Sequence, residues 1–354
     1  MLNEPRWLKQ PGEGGAGWYE VWYVVASDAK AGLGAWLRYT VDVSAAGKLV
    51  PAVWGSFFDR KDPRRTFSLR VAHDAAAIRR GPDLHIGIGD AELGPQGCRG
   101  EVEGGGHSLR WRLSFGGQGE GEDVLPGFLR PVARIRKGGF VLPRPELRLS
   151  GAIEVDGAPV ELIDVPGSQA HLWGARRYPA WAWAHCANFA EDPEASLDLL
   201  SVHGPGGIWV PLFTFRWQGK VHRFGELPWI FATRSRVAAP SWHIAAHDAT
   251  VSVDGVIRAE SDDMVEVEYG DPDGSKRYCA NSEIAHVELR VRTRSFIGAP
   301  WRPEGTLRSV GGASLEFCGQ TPDSRVTRKL ISTSREPPSP TETVPHEEHN
   351  APSP

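Results

Sequence analysis

Glycine and proline interrupt this chain so often that long helices have little room to form. The sequence has 41 glycines and 28 prolines among 354 residues, scattered between short apolar runs. Turn-forming residues at such close intervals favour many short strands over long helices. Because the length exceeds that of one typical hydrophobic core, two domains are expected. The composition therefore predicts an all-β protein built from two units.

Two early segments show the strand pattern clearly. Residues 18–25 are aromatic and β-branched, and residues 35–41 continue in the same style after a glycine-containing turn. Both faces of the 35–41 segment carry bulky side chains, which predicts a hairpin at the centre of a sheet. Farther along, Asp156-Gly157 separates two alternating runs. This dipeptide is a strong signal for a two-residue hairpin turn.

The segment 181–186, Trp-Ala-Trp-Ala-His-Cys, is the most informative about function. Side chains alternate between the two faces of a strand, so Trp181, Trp183 and His185 should share one face. Two indoles and an imidazole form a wide apolar wall that also carries N–H donors. Such a wall suits an apolar ligand with one polar group. Packing of a barrel or sandwich core is the alternative explanation, since aromatic stripes in strands also form by packing alone.

Charge and overall patterning argue against several classes of partner. The formal net charge is −4, and no basic block is interleaved with aromatic residues, so a nucleic-acid partner is not expected. We find no apolar run long enough to span a bilayer and no secretory signal in residues 1–17. The expectation is a cytoplasmic protein without a transmembrane segment.

The four cysteines, Cys98, Cys186, Cys279 and Cys318, lie far apart without C-x-x-C spacing. This distribution is typical of neither a zinc site nor a redox motif. Reduced thiols are expected in a cytosol, and disulfides are the alternative if the protein resides elsewhere.

The order of several motifs resembles a known family. The motifs are Trp22, Ser27-Asp28, residues 32–40 (Gly-Leu-Gly-Ala-Trp-Leu-Arg-Tyr-Thr), residues 54–58, residues 167–174 and Trp181-Ala182-Trp183. They resemble the tandem lipocalin-like family of carotenoid 1,2-hydratases (hydroxyneurosporene synthases), AttH-like proteins, tocopherol cyclase-like proteins and some fungal Diels–Alder cyclases. The similarity covers most of residues 15–330.

This resemblance implies two consecutive antiparallel lipocalin-like barrels or half-barrels, which we place at residues 1–190 and 191–333. The ligand cavity would lie in one barrel mouth or between the two barrels. Residues 334–354 are rich in Pro, Ser and Glu and have hardly any apolar residues. Such a segment cannot bury enough surface to order itself, so a disordered C-terminal tail is expected.

One departure from the family concerns the catalytic acid. Ala170 stands where hydratase-like members carry a carboxylate, and Ala182 stands where an Asp often separates the two tryptophans. Addition of water to an unactivated alkene needs a strong general acid, so simple hydration is not expected from this segment. Asp164 is the candidate acid, provided that burial beside the indoles raises its pKa. A solvated turn aspartate is the alternative.

The remaining candidate residues come from the same motifs. His171 and His185 are candidates for acid–base catalysis or for hydrogen bonding to a ligand oxygen, with buried structural histidines as the alternative. The candidate ligand-binding residues are aromatic or polar: Trp36, Arg38, Trp54, Trp173, Trp181, Trp183 and Asn188. The two histidines lack a third ligand at recognisable spacing, so no metal is expected, and no cofactor is expected either.

The functional expectation is a lipocalin-like protein that binds a hydrophobic small molecule such as an isoprenoid, carotenoid or polyketide. Cofactor-free cyclisation, isomerisation or hydration is the expected type of chemistry, with the cavity positioning the substrate. Two alternatives are a non-catalytic carrier of a hydrophobic ligand and a carbohydrate-binding β-sandwich with shallow, exposed tryptophans. These motifs do not determine whether the protein is catalytic, which ligand it binds, which barrel or interface holds the pocket, or the oligomeric state.

Overall fold

The computed structural model describes residues 3–6, 17–80, 84–117, 119–131, 138–204 and 207–335. The strands in these ranges are β1 (Trp18–Asp28), β2 (Leu33–Val43), β3 (Leu49–Asp59), β4 (Phe67–Ala72), β5 (Ile78–Arg80), β6 (Ile86–Ile88), β7 (Ala91–Gly94), β8 (Gly97–Gly104), β9 (His107–Gly116), β10 (Glu122–Asp123), β11 (Gly139–Val155), β12 (Ala158–Gly174), β13 (Trp181–Cys186), β14 (Ser196–His203), β15 (Trp209–Trp217), β16 (Lys220–Arg223), β17 (Arg234–Ala238), β18 (Ser241–His247), β19 (Val251–Arg258), β20 (Val265–Gly270), β21 (Lys276–Thr293), β22 (Arg302–Gly319) and β23 (Ile331–Ser334). Short 3-10 turns lie at Pro63–Arg65, Ala75–Ala77, Trp229–Phe231 and Ser261–Asp263. None of the helical segments in the described ranges has the length and apolar character needed to cross a membrane.

The strands form two large curled sheets, which are half-barrels. The first has the order β23-β4-β3-β2-β1-β12-β11-β9-β8-β7-β6-β5, with β10 paired to β11. The second has the order β16-β15-β14-β13-β22-β21-β19-β18-β17, with β20 paired to β21. Pairing is antiparallel throughout these sheets except between β23 and β4. The prediction of an all-β protein with two consecutive half-barrels is confirmed.

The two local predictions about hairpins are also confirmed. β1 and β2 pair along their whole lengths and are flanked by β12 and β3, so the hairpin is central in its sheet. Asp156 and Gly157 form the turn between β11 and β12, with φ values of 51° and 78°. Positive φ at both central residues is what a two-residue type I′ turn requires.

The chain passes from the first sheet to the second between Gly174 and Trp181. The expected boundary at residue 190 would leave β13 in the first unit, but β13 pairs with β14 and β22 of the second sheet. In the opposite direction, β23 returns to the first sheet beside β4. Ser334, expected to begin the tail, pairs with Ala72 in this ladder. Apart from Ser334 and Arg335, the expected tail lies outside the described residues.

Each half-barrel has its own apolar core, and a third cluster of buried residues lies between the two sheets. We call this third cluster and the polar groups within it the inter-sheet layer. From the first sheet it receives Tyr23, Trp36, Arg38, Trp54 and Ala170, and from the second sheet Trp181, Trp183, His185, Tyr269, Glu283 and Glu316. Alternation along each strand separates this layer from the two cores.

The two sheets approach each other closely at Gly34. A Cβ atom added to Gly34 would lie 2.4 Å from the Cβ of Glu283 and 2.6 Å from the Glu283 carbonyl oxygen. Only glycine fits this contact. Nearby, the Asn188 side chain donates to the carbonyl oxygens of Ser27, at 2.8 Å, and Gly312, at 3.1 Å. Asn188, a candidate ligand-binding residue, thus uses its amide nitrogen to tie the first sheet to the second.

One pair of cysteines corrects the expectation of reduced thiols. Cys279 and Cys318 lie directly opposite each other on β21 and β22 and form a disulfide. Cys98 and Cys186 are free and buried. The bonded cysteines are separated by 39 residues, so their proximity comes from strand register and not from a local motif.

Candidate functional site

The candidate site begins with the aromatic wall on β13. Trp181 and Trp183 lie in the inter-sheet layer, whereas Ala182, Ala184 and Cys186 lie in the core of the second half-barrel. The predicted division of this strand into two faces is confirmed. The wall faces the other sheet, however, and not the inside of a barrel. The small residues on the opposite face of β13 let the core of the second half-barrel pack closely behind the wall.

Arg38 is the cation at the centre of the layer. It is only 5% exposed, and its Cζ lies 4.6 Å from the ring centroid of Trp36, 4.7 Å from that of Trp54 and 4.5 Å from that of Tyr269. Three aromatic faces therefore surround one guanidinium, which stabilises the buried charge. Within the described residues, Nε and Nη1 of Arg38 have no hydrogen-bond partner. Since a buried donor is costly to leave unpaired, these two N–H groups are suited to an incoming acceptor.

Glu316 on β22 places a carboxyl group in the same layer. Its Oε1 accepts a hydrogen bond from Trp181 Nε1, and its Oε2 accepts one from the Tyr269 hydroxyl at 3.3 Å. Burial raises the pKa of Glu316, although Arg38 and these two hydrogen bonds act in the opposite direction. A buried carboxyl group with a raised pKa retains its proton at higher pH and can serve as a general acid.

A second buried carboxyl group, Glu283 on β21, lies at the contact with Gly34. Ser314 Oγ donates a hydrogen bond to Glu283 Oε2. Burial raises the pKa of Glu283 well above its usual value, and the negative charge of Glu316 adds to this effect. A negative charge on Glu316 therefore opposes the ionisation of Glu283.

His185 is held by a chain of ionic partners. Its Nδ1 lies 2.8 Å from Asp198 Oδ1, and the other carboxylate oxygen of Asp198 accepts from Arg216. Arg216 in turn contacts Glu122 Oε1 at 2.5 Å. Although burial alone would raise it, His185 and Arg216 hold the pKa of Asp198 below its usual value. His185 Nε2 is buried without a partner among the described residues, so the carboxylate orients a ring whose second nitrogen is unused.

His171 and Trp173 lie on the other face of the first sheet. His171 is fully buried and stacks on Trp22, with ring centroids 4.8 Å apart, and it also contacts Trp173 at 4.8 Å. Its Nε2 lies 2.8 Å from Glu20 Oε1. The structure therefore separates these two residues from Trp181 and Trp183, with which the sequence grouped them. Alternation explains the separation, because the preceding residue, Ala170, is the one that faces the inter-sheet layer.

Asp164 is not buried beside the indoles, and that expectation is wrong. Its side chain is 73% exposed and lies 4.0 Å from Arg148. The residue has a φ of 52° and falls between Leu162 and Val165, where the register of β12 against β11 shifts. This irregularity turns the side chain toward solvent, in agreement with the alternative of a solvated aspartate.

Glu316, Glu283 and Tyr269 are site residues that no sequence motif singled out. Glu316 stands in the run Leu315-Glu316-Phe317-Cys318, where its neighbours on both sides are apolar. An isolated acid in a strand that is apolar on both faces is a usable signal of a buried carboxyl group. Glu283 and Tyr269 have no comparable local signal, since only the packing of the two sheets buries them.

The inter-sheet layer combines an anchored cation, protonatable carboxyl groups and aromatic faces. No group of three or more His, Cys, Asp or Glu side chains within the described ranges is arranged to hold a metal ion. Arg38 can bind an oxygen atom of a ligand, and Glu316 can deliver a proton. The rings of Trp181, Trp54 and Tyr269 can stabilise a positive charge that develops on the ligand beside them.

Known proteins resemble this chain in family pattern and in fold. Residues 146–307 match the tocopherol cyclase-like family. Two uncharacterized proteins of Mycobacterium tuberculosis, from strains CDC 1551 and H37Rv, are each 28% identical to it over 327 residues, covering 88% of this chain and 92% of the relative. The solved structure of an AttH-like protein from Nitrosomonas europaea superposes with a TM-score of 0.51 at 12% identity, covering 86% of this chain and 92% of the other. Kievitone hydratase from Nectria haematococca gives a TM-score of 0.45 at 10% identity, covering 89% and 91%.

Proposed function

On the premise that this chain is a tandem lipocalin-like protein with a tocopherol cyclase-like pattern over residues 146–307, we propose that it binds and transforms a hydrophobic small molecule between its two sheets. The ligand class is an isoprenoid, carotenoid or polyketide with one oxygen-containing end. The reaction is a cofactor-free cyclisation or hydration started by protonation of an alkene. The observation that supports this proposal most strongly is the buried Arg38, with two unused donors, beside the acid Glu316.

Binding in this layer uses Arg38 as the polar anchor. Its Nε and Nη1 have no acceptor among the described residues, so their hydrogens can donate to a carboxylate, phenolate or hydroxyl oxygen. The apolar remainder of the ligand would pack against Trp181 and Trp183, which are the wall that the alternation along β13 creates.

The proposed chemistry starts at Glu316. Its carboxyl O–H bond breaks as the proton forms a C–H bond with one alkene carbon, and the other alkene carbon becomes a cation beside the aromatic rings. In cyclisation, a hydroxyl oxygen of the same ligand attacks the cation, and its proton returns to the carboxylate of Glu316. Attack by water in place of that hydroxyl gives hydration with the same proton balance.

The position of Ala170 supports this assignment of the acid. Ala170 is buried in the inter-sheet layer directly opposite Tyr23 in the pairing of β1 with β12. The carboxylate that the resemblance places here in hydratase-like members would therefore face the same layer. In this chain Glu316 and Glu283 are the carboxyl groups that the opposite sheet contributes to that layer, and Glu316 is the one bonded to Tyr269, whose ring contacts Arg38.

The carbohydrate-binding alternative fits the geometry less well. Sugar platforms are exposed, shallow aromatic faces, whereas Trp183 is buried and packs edge-on against Tyr23 with centroids 5.5 Å apart. The carrier alternative uses the same layer and differs from the enzyme only in the absence of turnover. Binding and turnover are therefore tested separately.

Binding is tested with retinoic acid, a polyene carboxylate, by quenching of tryptophan fluorescence. Arg38→Leu should weaken binding by about tenfold or more, because a charge-assisted hydrogen bond is lost. Arg110→Leu is the control, since Arg110 is exposed on β9. The affinity for retinol, which lacks the carboxylate, should fall less in the Arg38→Leu variant. Equal affinity of the wild type and the Arg38→Leu variant for retinoic acid would contradict the assigned anchor.

Turnover is tested with a prenylated hydroquinone in heavy water. Cyclisation through Glu316 should give an isomeric product with one non-exchangeable deuterium on carbon, and Glu316→Gln should abolish its formation while retinoic acid still binds. Glu268→Gln is the control, because Glu268 is exposed and paired with Lys276. Binding without product in the wild type would identify a carrier. Undiminished product from Glu316→Gln would show that another group is the acid.

A further inference from the structure

Two loops of the second half-barrel expose large apolar side chains at one end of the sheet. The loop between β16 and β17 carries Leu227, which is 51% exposed, and Phe231, which is 76% exposed. The loop between β21 and β22 carries Phe296 and Ile297, each 65% exposed. We call these four residues the apolar tip. Single exposed apolar residues are common, but a cluster on neighbouring loops marks an interaction surface.

Ring contacts hold the two loops together. The imidazole of His247 lies between Trp229 of the first loop, at 6.1 Å, and Trp301 of the second, at 5.8 Å. Arg294 stacks on Trp301 at 4.2 Å, and its Nε donates to the carbonyl oxygen of Ala249 at 2.7 Å. These contacts fix the two loops, so the side chains of the tip are exposed on ordered segments.

Arginines flank both loops. Arg223 and Arg234 stand on either side of the first loop, and Arg292, Arg294 and Arg302 stand around the second. The acidic residues of the same region are Glu226, Asp248 and Glu304. Glu226 accepts a hydrogen bond from Gly127, and Glu304 accepts one from Thr293. Asp248 is hydrogen-bonded to His222 and Thr250. Arg223 is already paired with Glu122 at 3.3 Å. The other four arginines form no ion pair among the described residues, and they outnumber the three acids around the tip.

We propose that the apolar tip docks onto a lipid bilayer that contains anionic phospholipids. The four apolar side chains would enter the boundary between headgroups and acyl chains, and the flanking arginines would contact the phosphates. Exposed apolar side chains on two loops that arginines flank match this chemistry. This inference is independent of the inter-sheet site, because it involves none of its residues.

A second copy of the chain is a less suitable occupant of the same surface. Symmetric contact between two tips would bring the arginines of one copy toward those of the other, and like charges in apposition oppose association. An anionic membrane instead supplies the opposite charge to all of them.

The test is co-sedimentation of the full chain with vesicles of phosphatidylcholine alone and of an equal mixture with phosphatidylglycerol. The wild type should bind the mixed vesicles and bind the neutral ones less. The double variant Phe231→Ser/Phe296→Ser should bind mixed vesicles at least about tenfold less, since it removes most of the inserted apolar area. Arg234→Gln/Arg302→Gln should lower binding to mixed vesicles only.

The matched control is Ile163→Ser/Val310→Ser, which changes two apolar side chains that are 75% and 57% exposed away from the tip. This control should bind vesicles like the wild type. Absence of vesicle binding by the wild type, or equal binding by the tip variant, would overturn the proposal. So would a dimer in sedimentation velocity that Phe231→Ser/Phe296→Ser converts to a monomer.

Discussion

The guanidinium of Arg38, from the first sheet, lies 4.5 Å from the ring centroid of Tyr269, from the second sheet. The hydroxyl of the same tyrosine donates to Glu316. One ring thus links the buried cation to the buried acid, and the candidate site exists only where the two half-barrels meet.

Tyr269→Phe should keep the stacking on Arg38 and remove the hydrogen bond to Glu316. Because that bond lowers the pKa of Glu316, the variant should shift the alkaline limb of the pH–rate profile to higher pH. We also expect a loss of about 1 kcal/mol in the free energy of unfolding. The measurements are turnover against pH and urea denaturation, with the partly exposed Tyr178→Phe as control. An unchanged pH profile would argue against Glu316 as the acid.

Gly34→Ala should force the sheets apart, since the new Cβ would lie 2.4 Å from Glu283 Cβ. Overpacking of this kind should lower the free energy of unfolding by roughly 2–3 kcal/mol, measured by urea denaturation. At Gly319 an added Cβ meets nothing within 4 Å, so Gly319→Ala is the matched control. Equal stability of the two variants would mean that the sheets are not in contact at Gly34.

Glu283→Gln should stabilise the protein relative to the wild type at alkaline pH. In the folded state burial raises the pKa of Glu283 well above 4.5. As the pH rises from about 4.5 toward the folded-state pKa, the carboxyl group ionises in the unfolded chain but not in the fold, which lowers the free energy of unfolding. Glutamine does not ionise and escapes this loss. The difference in free energy of unfolding between variant and wild type should grow from pH 5 to pH 8.5, measured by urea denaturation. A difference that stays constant with pH would show that Glu283 is not protonated in the fold.

Reduction of the Cys279–Cys318 disulfide should destabilise the protein. Closing a loop of 39 residues restricts the unfolded chain by about 4 kcal/mol in the loop-entropy model. Thiol titration of the denatured protein should detect the thiols of Cys98 and Cys186 before reduction and all four cysteines after it. Cys98→Ala should leave the effect of reduction unchanged. Titration of all four thiols without reductant would contradict the disulfide.

Local features of this chain could be predicted because they depend on covalent geometry. Side chains alternate along any strand, so Trp181 and Trp183 had to share a face, and Asp156-Gly157 readily adopts the positive φ of a tight hairpin turn. The motifs at residues 32–40 and 167–174 carried the family resemblance. Gly34 gives one physical reason why the motif at residues 32–40 contains glycine, since this position contacts the other sheet.

The sequence by itself determined an all-β chain, the positions of its early strands and the two faces of β13. Only the tertiary structure decided what those faces meet. Packing of one sheet on the other placed Arg38 beside Tyr269 and buried Glu316, whereas a register shift turned Asp164 outward and alternation sent His171 into the first core. The surroundings of Arg38 and Tyr269 depend on partners far away in the chain, so no local pattern contains them. For Glu316 the sequence holds only one local signal, an isolated acid between apolar neighbours.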